Sequence, residues 1–355
     1  MAICEKIRQV LGNRQISFGF PVEVADKAEL CREIGKDKPF GDVDVIVAVG
    51  EEVENKSILG IVKRALGNED GKVIHNDNIH MFLSKETFQI DLMFCKLENL
   101  QFLLAYKSNN DFGGLLGHLL IPLGLKWSNL GLVLKLETVE LSGVGTCRAD
   151  IVLTSDLSVV CNFLGLPGHS LDGRTRMTSN EVCEVLTGSK AFFATEFDEK
   201  YKLKKRRRKR PVTDAFFTYL ENNHKNLEKQ TKEVFKNDEV RLLFNNYIDE
   251  KIPYEEYIEK VSEYFSKGTE VKERFNSLKE NSKRKQILNS KFNFQVLCSW
   301  FPGVEQSTCG KIITIMNREH LGADKHAFDA WIEQADIEDI KTEARRCKEV
   351  LYSNL

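Results

Sequence analysis

An acidic pair at the mouth of a β-branched run constrains this chain more than any other feature. The segment is Lys38-Pro39-Phe40-Gly41-Asp42-Val43-Asp44-Val45-Ile46-Val47-Ala48-Val49-Gly50. Valine and isoleucine at this density favour a strand. Successive strand side chains point to opposite faces, so Asp42 and Asp44 emerge on one face, with Val43 and Val45 on the other. Two carboxylates about 7 Å apart on one edge make an oxygen-rich cation site.

A later segment completes the pattern. Met81-Phe82-Leu83, a polar turn at Ser84-Lys85-Glu86-Thr87, and Phe88-Gln89-Ile90-Asp91-Leu92-Met93-Phe94 read as a hairpin. Asp91 is the only acid in its strand. A carboxylate among Phe88, Ile90, Leu92, Met93 and Phe94 is costly to bury unless a cation or hydrogen-bond donors compensate it. On adjacent strands, Asp42, Asp44 and Asp91 suit one or two Mg²⁺ ions, which need few protein carboxylates and take their other oxygens from phosphates and water.

Gly41-Asp42-x-Asp44 leading into an apolar run, with a lone Asp91 on a later hairpin strand, resembles the palm of the polymerase beta-like nucleotidyltransferases. That superfamily includes poly(A) polymerases and CCA-adding enzymes. The resemblance covers residues 15–135 and is looser beyond. It implies that Asp42 and Asp44 hold two Mg²⁺ or Mn²⁺ ions, and that Asp91 ligates one ion and helps deprotonate an attacking hydroxyl. The family also carries a Gly-Gly or Gly-Ser turn that holds the incoming triphosphate. Here its best match is Gly19-Phe20, with Phe20 in the small position, and Gly35-Lys36 is a second candidate. Gly19 and Gly41 are thus the expected triphosphate-side glycines. Ser108, Asn110 and Lys126 correspond in position to the family's helix against the nucleotide sugar and triphosphate. For 108–110 a plain helix cap is the competing reading, because Ser and Asn favour caps over helix interiors.

The rest of the chain is ordered around this core. Helical spacing falls at 1–14, 26–34, 55–66 and through most of 97–125, with a helix starting near Asp111. Alternation at 131–136 and 151–154 gives strands, Asp156 opens a short helix, and 178–186 is another. At 202–210 eight of nine residues are cationic. Such a run is solvated and self-repelling; it serves as a nucleic-acid contact, a nuclear-import address or a simple linker. Lys204, Lys205, Arg206, Arg207, Arg208, Lys209 and Arg210 are the candidate RNA contacts, whose binding would be strongly salt-dependent. From 211 onward the pattern is almost wholly helical, and the aromatic stripes at Phe216, Tyr254, Tyr257 and Phe265 read as core rather than as base-stacking platforms.

Composition then narrows the classes. The chain has 355 residues, enough for two or three domains, and its 51 basic and 53 acidic residues leave a net charge of −2. It is no polycation, so any nucleic-acid contact must be local. Nine scattered cysteines without a Cys-x-x-Cys pair argue against a zinc site and for a reducing intracellular setting. No apolar run approaches 18 residues, so no membrane partner is expected.

The expected fold is α+β: a nucleotidyltransferase palm of mixed sheet and helices at 1–165, a connecting segment with the basic run at 166–210, and a mostly α-helical domain at 211–355. The expected function is template-independent transfer of nucleotides from a nucleoside triphosphate to an RNA 3′ hydroxyl. Alternatives are a small-molecule or protein nucleotidyltransferase, such as a second-messenger synthase or adenylyltransferase, and an inactive RNA-binding relative, which Phe20 favours. The expected location is intracellular, and nuclear if the source is eukaryotic and the basic run is an import signal.

Overall fold

The β-branched run becomes the middle of a sheet. The computed structural model describes residues 2–11, 16–19, 42–50, 71–76, 79–84, 89–109, 112–138, 146–171, 177–193, 211–321 and 325–353. Strands β1 (Ile16–Gly19), β2 (Asp42–Val49), β3 (Gly71–Asn76), β4 (Ile79–Ser84) and β5 (Gln89–Lys96) form one mixed sheet in the order β1-β2-β5-β4-β3. β2 runs antiparallel to β1 and parallel to β5, and the β5-β4-β3 side is antiparallel throughout. The expected hairpin is β4 with β5, and β3 extends it by one strand.

Val45, Ile46, Val47, Ala48 and Val49 are all at most 5% exposed, so both faces of this half of β2 are covered. Each fully buried valine or isoleucine contributes about 1.5–3 kcal/mol before entropy is counted. Helix α1 (Ala2–Leu11) buries Ile7 and sets the Arg8 guanidinium 5.3 Å from the Phe18 ring of β1. A 3₁₀ turn at Leu97–Asn99 leads from β5 directly into α2 (Leu100–Lys107), whose Leu103 and Leu104 pack on Ile46 and Met93. Because Ile46 and Asp44 are two apart in one strand, α2 covers the face that carries the aspartates.

A second, three-stranded sheet follows helix α3 (Phe112–Leu120): β6 (Leu125–Ser128), β7 (Gly131–Glu137) and β8 (Arg148–Thr154), in the order β6-β7-β8. The two-residue turn between β6 and β7 is tied by Ser128, whose hydroxyl donates to Gly131 O at 3.1 Å and accepts from the Leu130 N–H at 3.2 Å. Gly131 adopts φ 130°, and a Cβ there would lie 2.3 Å from Thr154 O, so only glycine fits between the turn and the end of β8. Asp156 caps α4 (Leu157–Leu164) through the Ser158 and Val159 amides, as the sequence predicts, and the expected helix at 178–186 is α5 (Ser179–Thr187), on which Thr178 and Glu181 form a capping box.

Three further helices belong to the same compact unit: α6 (Pro211–Val234), α7 (Glu239–Ile248) and α8 (Tyr254–Tyr264). Phe216, Phe244 and Tyr257 of these helices are core, whereas Tyr264 is about half exposed. Tyr257 is fully buried, stacks on Tyr247 at 3.9 Å and donates its hydroxyl to Leu123 O at 2.7 Å, while Tyr254 donates to Lys135 O. Buried Arg241 donates to Lys190 O and Phe192 O, both at 2.7 Å, with its guanidinium 4.0 Å from the Phe193 ring.

This unit comprises residues 1–135 and 150–268, and a second comprises 136–149 and 269–355. The division does not coincide with the basic run, because helices 211–268 share contacts with the sheets. The second unit contains α9 (Gly268–Lys291) from Thr269 onward, α10 (Phe294–Trp300), α11 (Gln306–Leu321), α12 (Lys325–Gln334) and α13 (Ile337–Ser353). Its core gathers Leu297, Phe301, Cys309, Ile312, Met316, Phe328, Ile332, Ile340, Ala344 and Cys347. Lys291 Nζ donates to Glu333 O and Ala335 O and so satisfies carbonyls at the end of α12. The chain is therefore α+β. Among the described residues no helix is long and apolar enough to cross a membrane, and every described cysteine is a free thiol. The expected helices at 26–34 and 55–66 and the basic run with Lys204, Lys205, Arg206, Arg207, Arg208, Lys209 and Arg210 lie outside the described residues.

Candidate functional site

The parallel pairing of β2 with β5 sets Asp44 directly opposite Asp91, with Asp42 opposite Gln89. Neighbouring strands are roughly 4.8 Å apart, and residues in register point to the same face, so two carboxylates separated in sequence share one small surface. Both are partly buried. Position 42 begins the same strand; its side chain lies outside the described residues, as do Gly41 and Asn110. Among the described residues no group of three or more His, Cys, Asp or Glu side chains is gathered to hold a metal.

Sequence reasoning missed a third member of this site. Lys107, the last residue of α2, brings its ammonium 3.7 Å from Asp44 Oδ1, with the two side chains 21% and 28% exposed. Its reach follows from the packing of α2: Leu103 and Leu104 fix the helix on Ile46 and Met93, which leaves its C-terminal end beside Asp44. The corner behind it is also fixed. Asn109 holds φ 64°, and its side-chain oxygen accepts the Met177 N–H at 2.8 Å. Lysine at a helix C-terminus is ordinary, since it complements the helix dipole. The signal that pointed to this corner was Ser108, one residue away.

The other candidates take different places. Ser108 is fully buried as the cap of α2, its N–H donating to Leu104 O. Lys126 lies on β6 and pairs with Asp150 of β8 at 3.2 Å, both about half exposed. Gly19 is buried, and a Cβ there would stand 2.8 Å from Leu100 Cδ1 and 3.0 Å from Leu104 Cδ2, so the approach of α2 demands a small residue. Cys95, on the same strand as Asp91, is pushed up to about 12 by burial and stays a thiol at neutral pH. Thiolate, not thiol, ligates metals, so the donors offered here are oxygens. A separate cleft of about 690 Å³ is lined by Glu98, Gln101, Ser155, Asp156 and Ser158 among others, and its Asp156 carboxylate, lowered by the Ser158 hydroxyl and the α4 amides, is engaged as a helix cap.

The arrangement offers hard oxygen donors beside one flexible ammonium, on a face whose far end is sealed by apolar packing. Such a set can hold a divalent cation and orient phosphate oxygens. Comparison with known proteins finds no matching family model and no similar curated sequence.

Proposed function

We propose that this chain is a template-independent nucleotidyltransferase that adds nucleotides from a nucleoside triphosphate to an RNA 3′ hydroxyl. One observation carries the reading: Asp44 and Asp91, far apart in sequence, are register partners in parallel strands. Two acids at matched positions in a hydrophobic sheet are expensive unless a cation or hydrogen-bond donors compensate them, and a divalent ion is the compensation that serves both at once. The chemistry of the donor set fits Mg²⁺ or Mn²⁺, which Asp42, Asp44 and Asp91 would hold. When bound, such ions stabilise negative charge on the attacking and leaving oxygens of a phosphoryl transfer.

The chain's own residues then have assigned tasks. Asp91 accepts the proton of the primer hydroxyl as it attacks the α-phosphate, and pyrophosphate departs. Gly19 lets α2 close on the sheet, which sets the height of the site's floor. Lys204, Lys205, Arg206, Arg207, Arg208, Lys209 and Arg210 draw the RNA backbone toward the sheet. Positioning and electrostatics supply most of the rate, as this class of chemistry needs little covalent help from protein.

The test incubates the protein with Mg²⁺ or Mn²⁺, each labelled nucleoside triphosphate in turn, and a pool of short RNAs including tRNA, beside the Asp42→Ala/Asp44→Ala variant. Extension by the wild type alone supports the proposal and names the nucleotide. Label in a small product or on protein moves the acceptor from RNA to another class. Salt-sensitive RNA binding with no turnover under any condition replaces the enzyme with a binding protein.

A further inference from the structure

Two carboxylates in register on adjacent strands repel each other, and their partial burial removes some of the water that would screen them. A positive charge beside them therefore stabilises the folded chain even before any ion arrives. Lys107 is placed to supply it, 3.7 Å from Asp44 and with only about a fifth of its side chain exposed. That exposure is low for a lysine at a helix end, where the head group normally extends into solvent. The placement is also held from behind, because Leu103 and Leu104 anchor α2 and the Asn109 side chain anchors the corner after it to Met177.

We propose that Lys107 is the resident counter-cation of the Asp44–Asp91 pair, offsetting one of its two negative charges until a divalent ion displaces the ammonium. The inference rests on the reading of these aspartates as metal ligands and adds a residue that sets how strongly the site takes its ion. An ammonium and a divalent ion compete for the same carboxylate charge. Removing the ammonium therefore has two effects of opposite sign: the ion-free protein becomes less stable, and the ion binds more tightly. A lysine that merely packs would lower stability and leave affinity unchanged, and one that itself helped to bind the ion's partners would lower affinity.

The experiment measures Mn²⁺ binding to the full chain by calorimetry or by the loss of free Mn²⁺ signal in electron paramagnetic resonance, with no nucleotide present. Wild type is compared with Lys107→Met, Lys107→Gln and Lys107→Arg. Thermal midpoints are recorded with and without Mn²⁺. Relieving the repulsion between an ammonium and a divalent ion about 6 Å apart in water corresponds to about tenfold tighter binding. That gain is expected in Lys107→Met and Lys107→Gln, with a lower ion-free midpoint and a larger Mn²⁺-induced rise, while Lys107→Arg keeps wild-type affinity. Wild type that binds Mn²⁺ while both neutral variants bind it equally or more weakly overturns the counter-cation role and leaves the metal site standing. No Mn²⁺ binding by wild type or by any variant overturns the metal site and the counter-cation together.

Discussion

Two of the lysine–aspartate pairs in the first unit involve an aspartate on a sheet, one for each sheet, and they differ in an instructive way. Lys126 and Asp150 on the second sheet stand closer, at 3.2 Å, yet both are about half exposed. Lys107 and Asp44 on the first sheet are 3.7 Å apart but considerably more buried, and a second carboxylate, Asp91, sits in register beside Asp44. Ranked by distance, the surface pair is the stronger. Ranked by physics it is the weaker, because solvent screens exposed charges and side-chain entropy offsets most of what remains. Surroundings turn an ion pair into a site: limited water, a second like charge, and a rigid element behind each partner.

The sharpest way to break the comparison is to remove one charge from each pair. On the proposed function, Asp91→Asn should lower nucleotide transfer at least about a thousandfold, since several kcal/mol of transition-state stabilisation would be lost with a ligand of the proposed ion. Asp150→Asn should leave transfer unchanged in the same primer-extension assay. Equal losses in both would dissolve the distinction between the sheets.

Among the described residues each sheet also carries one crowded glycine, and the two should fail unequally. Gly131→Ala sets a Cβ against the Thr154 carbonyl and forces alanine to φ 130°, so chemical denaturation should report a loss of about 3 kcal/mol. Gly19→Ala meets only the ends of leucine side chains, which can shift, and should cost nearer 1 kcal/mol, at the low end of overpacking penalties.

A third kind of aspartate extends the series. Asp156 is compensated by the Ser158 hydroxyl and two helix amides rather than by a lysine, and these hold its carboxyl below the usual range. A lowered folded pKa means that its stabilisation is present above the unfolded value near 3.8 and is lost as pH falls through the folded one. Asp156→Ala should therefore cost about 1 kcal/mol at pH 7, and less as the pH falls below 3.8. The smallest effect belongs to Lys126→Met, whose change in stability should stay below about 1 kcal/mol and shrink further with added salt.

Asp44 and Asp91 were legible in the sequence for one reason. An acid that interrupts an apolar strand has no structural excuse, so its position carries information that surface acids do not. Their face was legible too, because strand period is fixed at two. Lys107 was not, since a lysine at a helix end looks the same whether it meets solvent or an aspartate; only the packing of Leu103 and Leu104 on Ile46 and Met93 decides. Gly19 matched a phosphate-turn pattern, yet its size is already required by Leu100 and Leu104. The bounds of the seven-residue α10 were not legible, because it spans too few turns to show a period, and Asn293, which caps it, also reads as a loop residue. The compact units differ from the composition shift at 202–210 because contact follows buried apolar faces. Tyr257 and Phe244 belong to the sheet-bearing unit however charged the linker before them.

Parallel strands cannot be joined by a tight turn, so β2 has to wait for β5. During synthesis the aspartate of the earlier strand emerges well before its partner, and α2, which delivers Lys107, follows later still. The charge cluster is thus assembled by a long-range closure whose entropy must be met before its contacts form, which slows folding. Until then the apolar half of β2 is an unpaired edge, open to the wrong strand. Its Asp42 and Asp44 end then serves a purpose apart from chemistry: charged residues at the start of a sticky strand act as gatekeepers, discouraging association with other nascent chains until the correct neighbour arrives.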